Sequence, residues 1–288
     1  MSTSLLTPNG GASTWEPIDD HPLDLAPYEF RLAEAEDLAD EMQSAVDQTT
    51  DVDYPLPHDF RLSVIVPVYN EQATIATVIH RLLQLPFRTE IAIVDDGSTD
   101  GTRDVLTRLA HFCDLKIFYH PNNLGKGAAI RTALKEVTGD VVVIQDADME
   151  YDPQDLAKVI HPLVTGEADV SYGSRFLKQD GPSKETSWVR QLGNQTLTCI
   201  SNSLTGLHLT DMQTALKAFP RKVIQQLDLH ENRFGIEPEI TAKLAKRNYR
   251  FVERPVSYHA QDWSASNKIT WKDGLAALWC ILRYRLAD

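Results

Sequence analysis

At 288 residues, 42% of them hydrophobic, the chain is long enough for one large domain or two small ones and has ordinary globular composition. Its net charge is −13, but residues 1–60 hold fourteen acidic side chains against one basic, Arg31, so the body that follows is neutral and lacks the basic stripe of a nucleic-acid binder. Neither a membrane-spanning helix nor a secretory signal is expected, for want of a long apolar run, and Cys113, Cys199 and Cys280, without metal-type spacing, fit a reducing cytosol.

Residues 1–28 are rich in Pro, Gly, Ser and Asp and are expected to be mostly disordered. Residues 29–48 have helix-forming composition, with Leu32, Ala35, Leu38, Met42 and Val46 at three- and four-residue spacing. They predict an acidic helix, either loosely docked on the body or solvated. Pro55 and Pro57 mark 49–60 as a linker. The body begins at Leu62, with an apolar strand over Ser63–Asn70 and a helix over Glu71–Leu85. A second strand from Ile91 ends at Asp95 and Asp96, then turns through Gly and Ser to Thr102. A helix over Arg103–Phe112, a strand over Leu115–His120 and a Gly-started helix over Asn123–Val137 follow. Next come a strand at Val141–Ile144, a helix from about Pro153 to Val164 and a strand within Ala168–Phe176. This alternation is the pattern of an α/β fold, a mostly parallel sheet with helices on both faces. After Phe176 the rhythm changes. A polar loop at 177–186 leads to a helix over Ser187–Leu204, a strand or irregular crossing over Leu209–Phe219, a helix within Asn232–Asn248 and a strand over Arg250–Tyr258.

The stretch VVVIQDADMEYD, Val141 to Asp152, carries the densest chemistry. Its apolar start reads as a strand buried on both faces, which then breaks into Asp146, Asp148 and Glu150. In extended chain, residues i and i+2 point the same way. Three carboxylates would then share one side just past the carboxyl end of a central strand, where open α/β sheets bind ligands. Such carboxylates repel and raise one another's pKa. A hard divalent cation, Mg2+ or Mn2+, removes the conflict and completes its shell with phosphate and water. The reading is a metal–diphosphate site; the plainer alternative is a solvated acidic turn.

Other motifs carry paired readings. Asp95 and Asp96 either accept hydrogen bonds from a nucleobase or ribose, or serve a turn. Pro67, Tyr69 and Glu71 end the first strand nearby; Tyr69 is placed to pack on a base, and Glu71 either joins it or merely starts a helix. Gly125-Lys126-Gly127 opens a helix in the way phosphate sites do, without Walker A spacing; Lys126 either contacts a nucleotide or is solvated. Arg175, after an apolar strand, suits bidentate phosphate binding, and Arg190 is a weaker candidate of the same kind.

SVIVPVYNE, IVDDGSTDGT, NLGKGAAIRTAL, IQDADMEYDP, YGSRF, TDMQTALKAF, RFGIEPEITAKLA and KITWKDGLAALWCILRYR follow in order between Ser63 and Arg285, in a match that spans about residues 61–287. This set resembles the inverting GT-A glycosyltransferases of family 2, of the dolichyl-phosphate mannose synthase and glucosyltransferase type, and more closely their bacterial relatives without transmembrane helices. The resemblance implies a Rossmann-like GT-A domain over 61–268, after an acidic extension over 1–60 and before an amphipathic helix over 269–288. It implies a nucleotide-sugar donor of GDP-mannose or UDP-glucose type, Mg2+ or Mn2+, and a polyprenyl-phosphate acceptor. Base and ribose fall on Pro67, Tyr69, Glu71, Asp95 and Asp96, and further donor contacts on Lys126, Asp146 and Lys268. Metal and diphosphate fall on Asp146, Asp148 and Glu150, and the acceptor phosphate on Arg175 and Arg190. Asp211 and Glu237 match acidic positions on the acceptor side, giving Asp148, Arg175, Asp211 and Glu237 as the catalytic set.

One loop departs from the family pattern R-x-x-x-E-G-K-K-I. Gln261 stands where arginine is expected, Ala265 and Ser266 replace Glu-Gly, and Lys268 alone of the two lysines remains. Two alternatives therefore stand beside transfer to a lipid phosphate. One is transfer to a hydroxyl, which needs a carboxylate base; the other is a non-catalytic nucleotide-sugar binder. A polyprenyl acceptor stays in the bilayer, so the expected location is the cytoplasm, peripheral on the cytoplasmic face of the membrane. In the last helix Ile269, Leu275, Leu278, Trp279 and Leu282 share a face. Trp271, Trp279 and Tyr284 are interfacial residue types, and Lys268, Lys272, Arg283 and Arg285 would meet anionic headgroups. The alternative is that this helix closes the core.

Overall fold

The apolar runs Arg61–Val68 (β1), Arg88–Asp95 (β2), Leu115–Tyr119 (β3) and Val141–Ile144 (β4) lie parallel, with β1 between β2 and β4 and β3 outside β2. Val170–Ser174 (β5), Lys217–Pro220 (β6) and Phe251–Pro255 (β7) complete a seven-stranded sheet in the order β3-β2-β1-β4-β6-β5-β7. β6 runs antiparallel to β4 and β5, and β5 pairs parallel with β7. The computed structural model describes residues 54, 56–177, 188–259 and 271–286, with the backbone alone at 188–190, 271–273, 275 and 286. All of these belong to one compact unit, Leu38–Asp288.

The helices are Ile75–Leu83 (α1), Thr102–Phe112 (α2), Lys126–Leu134 (α3), Leu156–Val164 (α4), Trp188–Thr205 (α5), Arg221–Ile224 (α6), Ile236–Lys246 (α7) and Trp271–Leu286 (α8). Strand side chains alternate between faces, so the β-branched runs build two cores. Val64, Val66, Val141 and Val143 pack with Ile79 of α1, Leu106 of α2 and Val159 of α4. Ile65, Val142 and Ile144 pack with Ile130 of α3, Ile240 of α7 and Ile281 of α8. The expected α/β sheet with helices on both faces is what the chain adopts.

Two helix starts need correction: those expected at Glu71 and Asn123 begin later, at Ile75 and Lys126, because residues 72–74 form a turn and 123–125 are irregular. The Leu209–Phe219 stretch, read as a strand or an irregular crossing, is irregular up to Lys217, where the strand begins. Upstream, its amides are held by side chains instead of a ladder: Leu209 N–H donates to Asn202, Thr210 and Asp211 N–H to Glu253, and Met212 N–H to Thr198. The C-terminal helix closes the core through Ala277, Cys280, Ile281 and Tyr284, packed on α5 and α7. Tyr284 is buried and so is not available to a headgroup, and Arg285, half-buried, donates from Nε to the Leu204 carbonyl. Trp279 remains 64% exposed, with Leu278 and Leu282 half-buried.

The acidic helix over 29–48, Gln261 and its neighbours, Lys268 and Ile269 lie outside the described residues. So do the side chains of Arg190, Trp271, Lys272 and Leu275. Among the described residues no helix is long and apolar enough to cross a membrane.

Candidate active site

β1, β2, β4 and β5 present their carboxyl ends to one rim. After β1, Asn70 adopts a left-handed φ of 56°. Ser98 Oγ accepts from its N–H at 2.9 Å and its Oδ1 accepts from Thr99 N–H at 2.8 Å, which locks the first two strand ends together. Pro67, Tyr69 and Glu71 are half-buried there. Glu71 accepts from Thr74 Oγ1 at 2.7 Å. Burial, and then the charges of Asp100, Asp146 and Glu150, push its carboxyl up despite that bond. Glu71 therefore shares the electrostatic field of the acidic turn after β4.

Asp95 and Asp96 both face inward. Asp95 is fully buried and accepts from Arg103 Nε at 2.6 Å and from Ser98 N–H. Asp96 accepts from Leu124 N–H at 2.9 Å, Gly125 N–H at 2.7 Å and His120 Nδ1 at 2.7 Å. These bonds are those of a turn. Asp96 ties the end of β2 to the start of α3, and through it to Lys126. His120 was missed by sequence reasoning, since a lone histidine at a strand end carries no signal.

Lys126 is neither solvated nor free. Its ammonium lies 2.7 Å from Asp146 Oδ1 and 3.0 Å from Glu237 Oε1. Burial opposes the charge, but the two carboxylates hold the ammonium well above the usual lysine range. Gly125 makes this placement possible: at φ +102° a Cβ would stand 2.3 Å from the Asn232 carbonyl oxygen. Gly125→Ala is expected to destabilise the protein by roughly 1–3 kcal/mol or more and to displace Lys126. Thermal unfolding and nucleotide-sugar titration would both register it; an unchanged Tm would contradict the account.

The turn after β4 differs from the expected extended chain. Met149 has a left-handed φ of 59°, so the i, i+2 rule does not hold across Asp148 and Glu150. Glu150 N–H instead donates to Asp148 Oδ1 at 3.0 Å, and Glu150 Oε2 accepts from Tyr258 OH at 2.9 Å. Asp148 lies among acids all the same: burial, then Asp146, Glu150 and Glu71, push its carboxyl well above the ordinary range. Among the described residues no three or more metal-ligating side chains are preassembled as a cage.

Across the sheet, Arg175 follows β5. Its Nε and Nη2 donate to the two oxygens of Asp211, each at 2.7 Å, and its N–H adds a third bond at 3.1 Å. Asp211 is fully buried, and its own N–H is held by Glu253 Oε1 at 2.9 Å. The guanidinium lies 5.3 Å from the Tyr258 ring centre, 5.6 Å from Phe176 and 5.9 Å from Tyr151. Arg175 is thus already paired, with its Nη1 edge left over. Tyr151 and Tyr258 pack edge to face at 5.3 Å and join this arginine to the acidic turn. Neither tyrosine was singled out from sequence, although Tyr151 lies inside the motif that was.

Lys217, also missed, is fully buried at the start of β6, opposite Ile144 of β4 and Tyr172 of β5. Its ammonium donates to the Thr214 carbonyl and lies 4.8 Å over the Tyr172 ring. Burial, the largest cause, lowers it to about 8, against roughly 10.4 for an unperturbed lysine. Between those values the unfolded chain binds more protons than the folded one, so this group's contribution to stability rises with pH across that window. Lys217→Met is therefore expected to raise Tm by the equivalent of a few kcal/mol near neutral pH, an advantage that vanishes above about pH 10. A lower Tm near neutrality would mean that the lost contacts outweigh the relief.

Comparison with known proteins supplies the class. The Glycosyl transferase family 2 profile matches residues 63–227, and the chain belongs to this family. A UDP-N-acetylglucosamine–dolichyl-phosphate N-acetylglucosaminyltransferase of Methanococcus voltae is 30% identical over 216 residues, 69% of this chain and 85% of the relative. A dodecaprenyl-phosphate galacturonate synthase of Rhizobium johnstonii is 26% identical over 233 residues, 78% of this chain and 66% of the relative. The chain spans about half to two thirds of the length of several such relatives. A solved structure of glucosyl-3-phosphoglycerate synthase from Mycobacterium tuberculosis, with Mn2+ and UDP-glucose, matches with a TM-score of 0.60 at 20% identity, covering 86% of this chain and 82% of that one. That likeness establishes the GT-A fold.

Proposed function

We propose that this protein moves a hexose, with inversion, from a nucleotide sugar to a polyprenyl phosphate, assisted by a divalent cation. The observation that carries the reading is Arg175 on the rim, held through both oxygens of the buried Asp211, so that this candidate base is committed to the arginine. Glu237, the other candidate, has one oxygen on Lys126 and the second buried without a hydrogen-bond partner among the described residues. A hydroxyl acceptor would need a carboxylate base, which makes Glu237 the residue on which that alternative turns. A phosphate monoester is largely dianionic at neutral pH, with its second pKa near ~6, and needs only orientation and charge stabilisation. The relatives that act on dolichyl and dodecaprenyl phosphates point the same way.

In this reading an acceptor phosphate oxygen attacks the anomeric carbon while the carbon–oxygen bond to the nucleoside diphosphate breaks, the electron pair leaving on the diphosphate. Arg175, held by Asp211, offers its remaining N–H edge to the acceptor phosphate. Lys126 faces the leaving diphosphate, and the rim around Pro67, Tyr69 and Glu71 receives the nucleoside. For the cation the donor set fits: all oxygen, with Asp148 the carboxylate whose charge burial and neighbours most oppose. The lack of a ready cage suits an ion that takes one or two protein carboxylates and completes its shell on phosphate. Asp148, with Asp146 or Glu150, would hold Mg2+ or Mn2+, which when bound stabilises charge on the leaving diphosphate.

Docking at the cytoplasmic face of the membrane belongs to the same proposal. Among the described side chains of α8, Trp279, with Leu278, Leu282 and the half-exposed Arg283, is available for it. Because α8 closes the core, the variant that tests this is Trp279→Glu and not a deletion. The protein is expected to co-sediment with anionic liposomes, less so at high salt, and Trp279→Glu to weaken this severalfold. Equal sedimentation of both forms would remove α8 from the membrane contact. The reading as a whole is tested by offering GDP- and UDP-linked hexoses with a polyprenyl phosphate. Donor binding without transfer to any acceptor would favour a non-catalytic binder.

A further inference from the structure

The opposite end of the sheet, where the strands begin, carries a second feature. A groove of about 720 Å³ runs beneath the first residues of β1, β2 and β3. That is within the range of roughly 300–1,000 Å³ usual for built binding sites. Phe60, Leu83, Leu85 and Phe87 supply its apolar lining, with Phe60 and Phe87 packed edge to face at 6.0 Å. Arg61 and Arg88 stand on its rim as in-register partners of β1 and β2. Both are exposed, and neither guanidinium has a hydrogen-bond or ion-pair partner among the described residues.

The other charges do not cancel this pair. Lys116 is committed to Glu90 at 2.5 Å, and Glu90 also accepts from Ser63 and Thr138. Exposed Asp114 is the one further carboxylate in the lining. Nearby, Asp140 accepts from the Arg61 backbone N–H at 3.0 Å and exposed Asp59 meets His58 at 3.2 Å, so among the described residues the two guanidiniums are the unpaired cations of a mixed-charge rim around an apolar floor. The family chemistry, which sits on the far rim, makes no use of them.

The chain itself supplies a complementary segment. Leu56, Pro57 and His58 form part of the groove wall, and the chain enters it from Tyr54, which is held on α4 by its hydroxyl on the Ala157 carbonyl at 3.1 Å and its ring against His161. Residues 38–53, LADEMQSAVDQTTDVD, carry five carboxylates and no basic residue, with Leu38, Met42 and Val46 spaced four apart. Val46 is eight positions before Tyr54, a reach of up to about 26–29 Å when extended. The groove crosses three strands, roughly 10 Å at about 4.8 Å per spacing, well inside that reach. A tethered segment also acts at an effective concentration of order millimolar, which a free acidic partner would have to exceed.

We propose that residues 38–53 dock in this groove, their carboxylates on Arg61 and Arg88 and the Leu38, Met42 and Val46 stripe on the apolar floor. Segment 38–53 then fastens to the end of the sheet remote from sugar transfer. Its five carboxylates are kept away from the donor rim.

Hydrogen exchange on the full chain at low salt tests this. Amides of 38–48 are expected to exchange at least about tenfold more slowly than in the free peptide, independently of protein concentration. The double variant Arg61→Glu/Arg88→Glu is expected to remove this protection while nucleotide-sugar binding stays unchanged. If that variant does not fold, Asp40→Lys/Glu41→Lys/Asp47→Lys carries the test from the segment side, with the same expected loss. No protection in the native chain, or protection that survives both sets of charge reversals, overturns the proposal. Protection that grows with concentration would make the occupant a second copy and overturns it equally.

Discussion

Asp148→Ala is expected to abolish cation-dependent binding of a nucleotide sugar while the protein stays folded. The loss should exceed the roughly 10–100-fold that removal of a mere supporting partner costs a metal site. Asp148 is the carboxyl pushed furthest from its ordinary behaviour, by burial first and then by Asp146, Glu150 and Glu71. A carboxyl raised in the folded state contributes stability that is present below its unfolded value, near ~3.9, and lost as pH rises through the folded value. At neutral pH without a cation, Asp148 so placed is therefore a burden on the folded chain. Its removal is expected to raise Tm slightly as it destroys binding. Calorimetry with Mn2+ and a nucleotide sugar reads the first effect, and thermal unfolding without cation reads the second. Unchanged affinity would make the acidic turn structural.

Arg175→Lys is expected to cut transfer on the order of 10²–10³-fold, the cost of losing one oriented charge-stabilising donor, with donor affinity little changed. Lysine keeps the charge but not the fork that Asp211 holds from two sides. Arg175→Ala goes further, because it leaves the fully buried Asp211 without its partner, a loss of roughly 3–5 kcal/mol for a broken buried pair. Activity of the alanine variant should therefore be read only beside its melting curve. Equal losses in donor binding and transfer by the lysine variant would assign Arg175 to the donor side.

The sheet was legible in the sequence because its central strands, β1, the end of β2 and β4, are largely β-branched runs buried on both faces, and Val141–Ile144 is strand from end to end. The site was legible as a set of positions at strand ends, since topology alone brings those to one rim. The partners within it were not. Lys126 pairs with Glu237, more than a hundred residues away, and Arg175 with Asp211 across an irregular crossing. No local spacing encodes either pair. The alternation rule failed at Met149 because one left-handed residue turns the chain. The apolar stripe of α8 misled for a different reason. Helical spacing finds an apolar face, but two such stripes overlap here, and Ala277, Cys280, Ile281 and Tyr284 are the one that packs.

The most direct measurement of the central claim compares two acceptors that differ only in the phosphate. The protein is incubated with labelled nucleotide sugar, Mn2+ and either a polyprenyl phosphate or the corresponding polyprenol, and label entering the lipid fraction is followed from about pH 5 to pH 8. The account predicts glycolipid with the phosphate alone, at a rate that rises as the acceptor's second ionisation, near ~6, is completed. Transfer to the polyprenol at a comparable rate would contradict it, because a carboxylate, with the unpaired second oxygen of Glu237 the first candidate, would then be activating a hydroxyl.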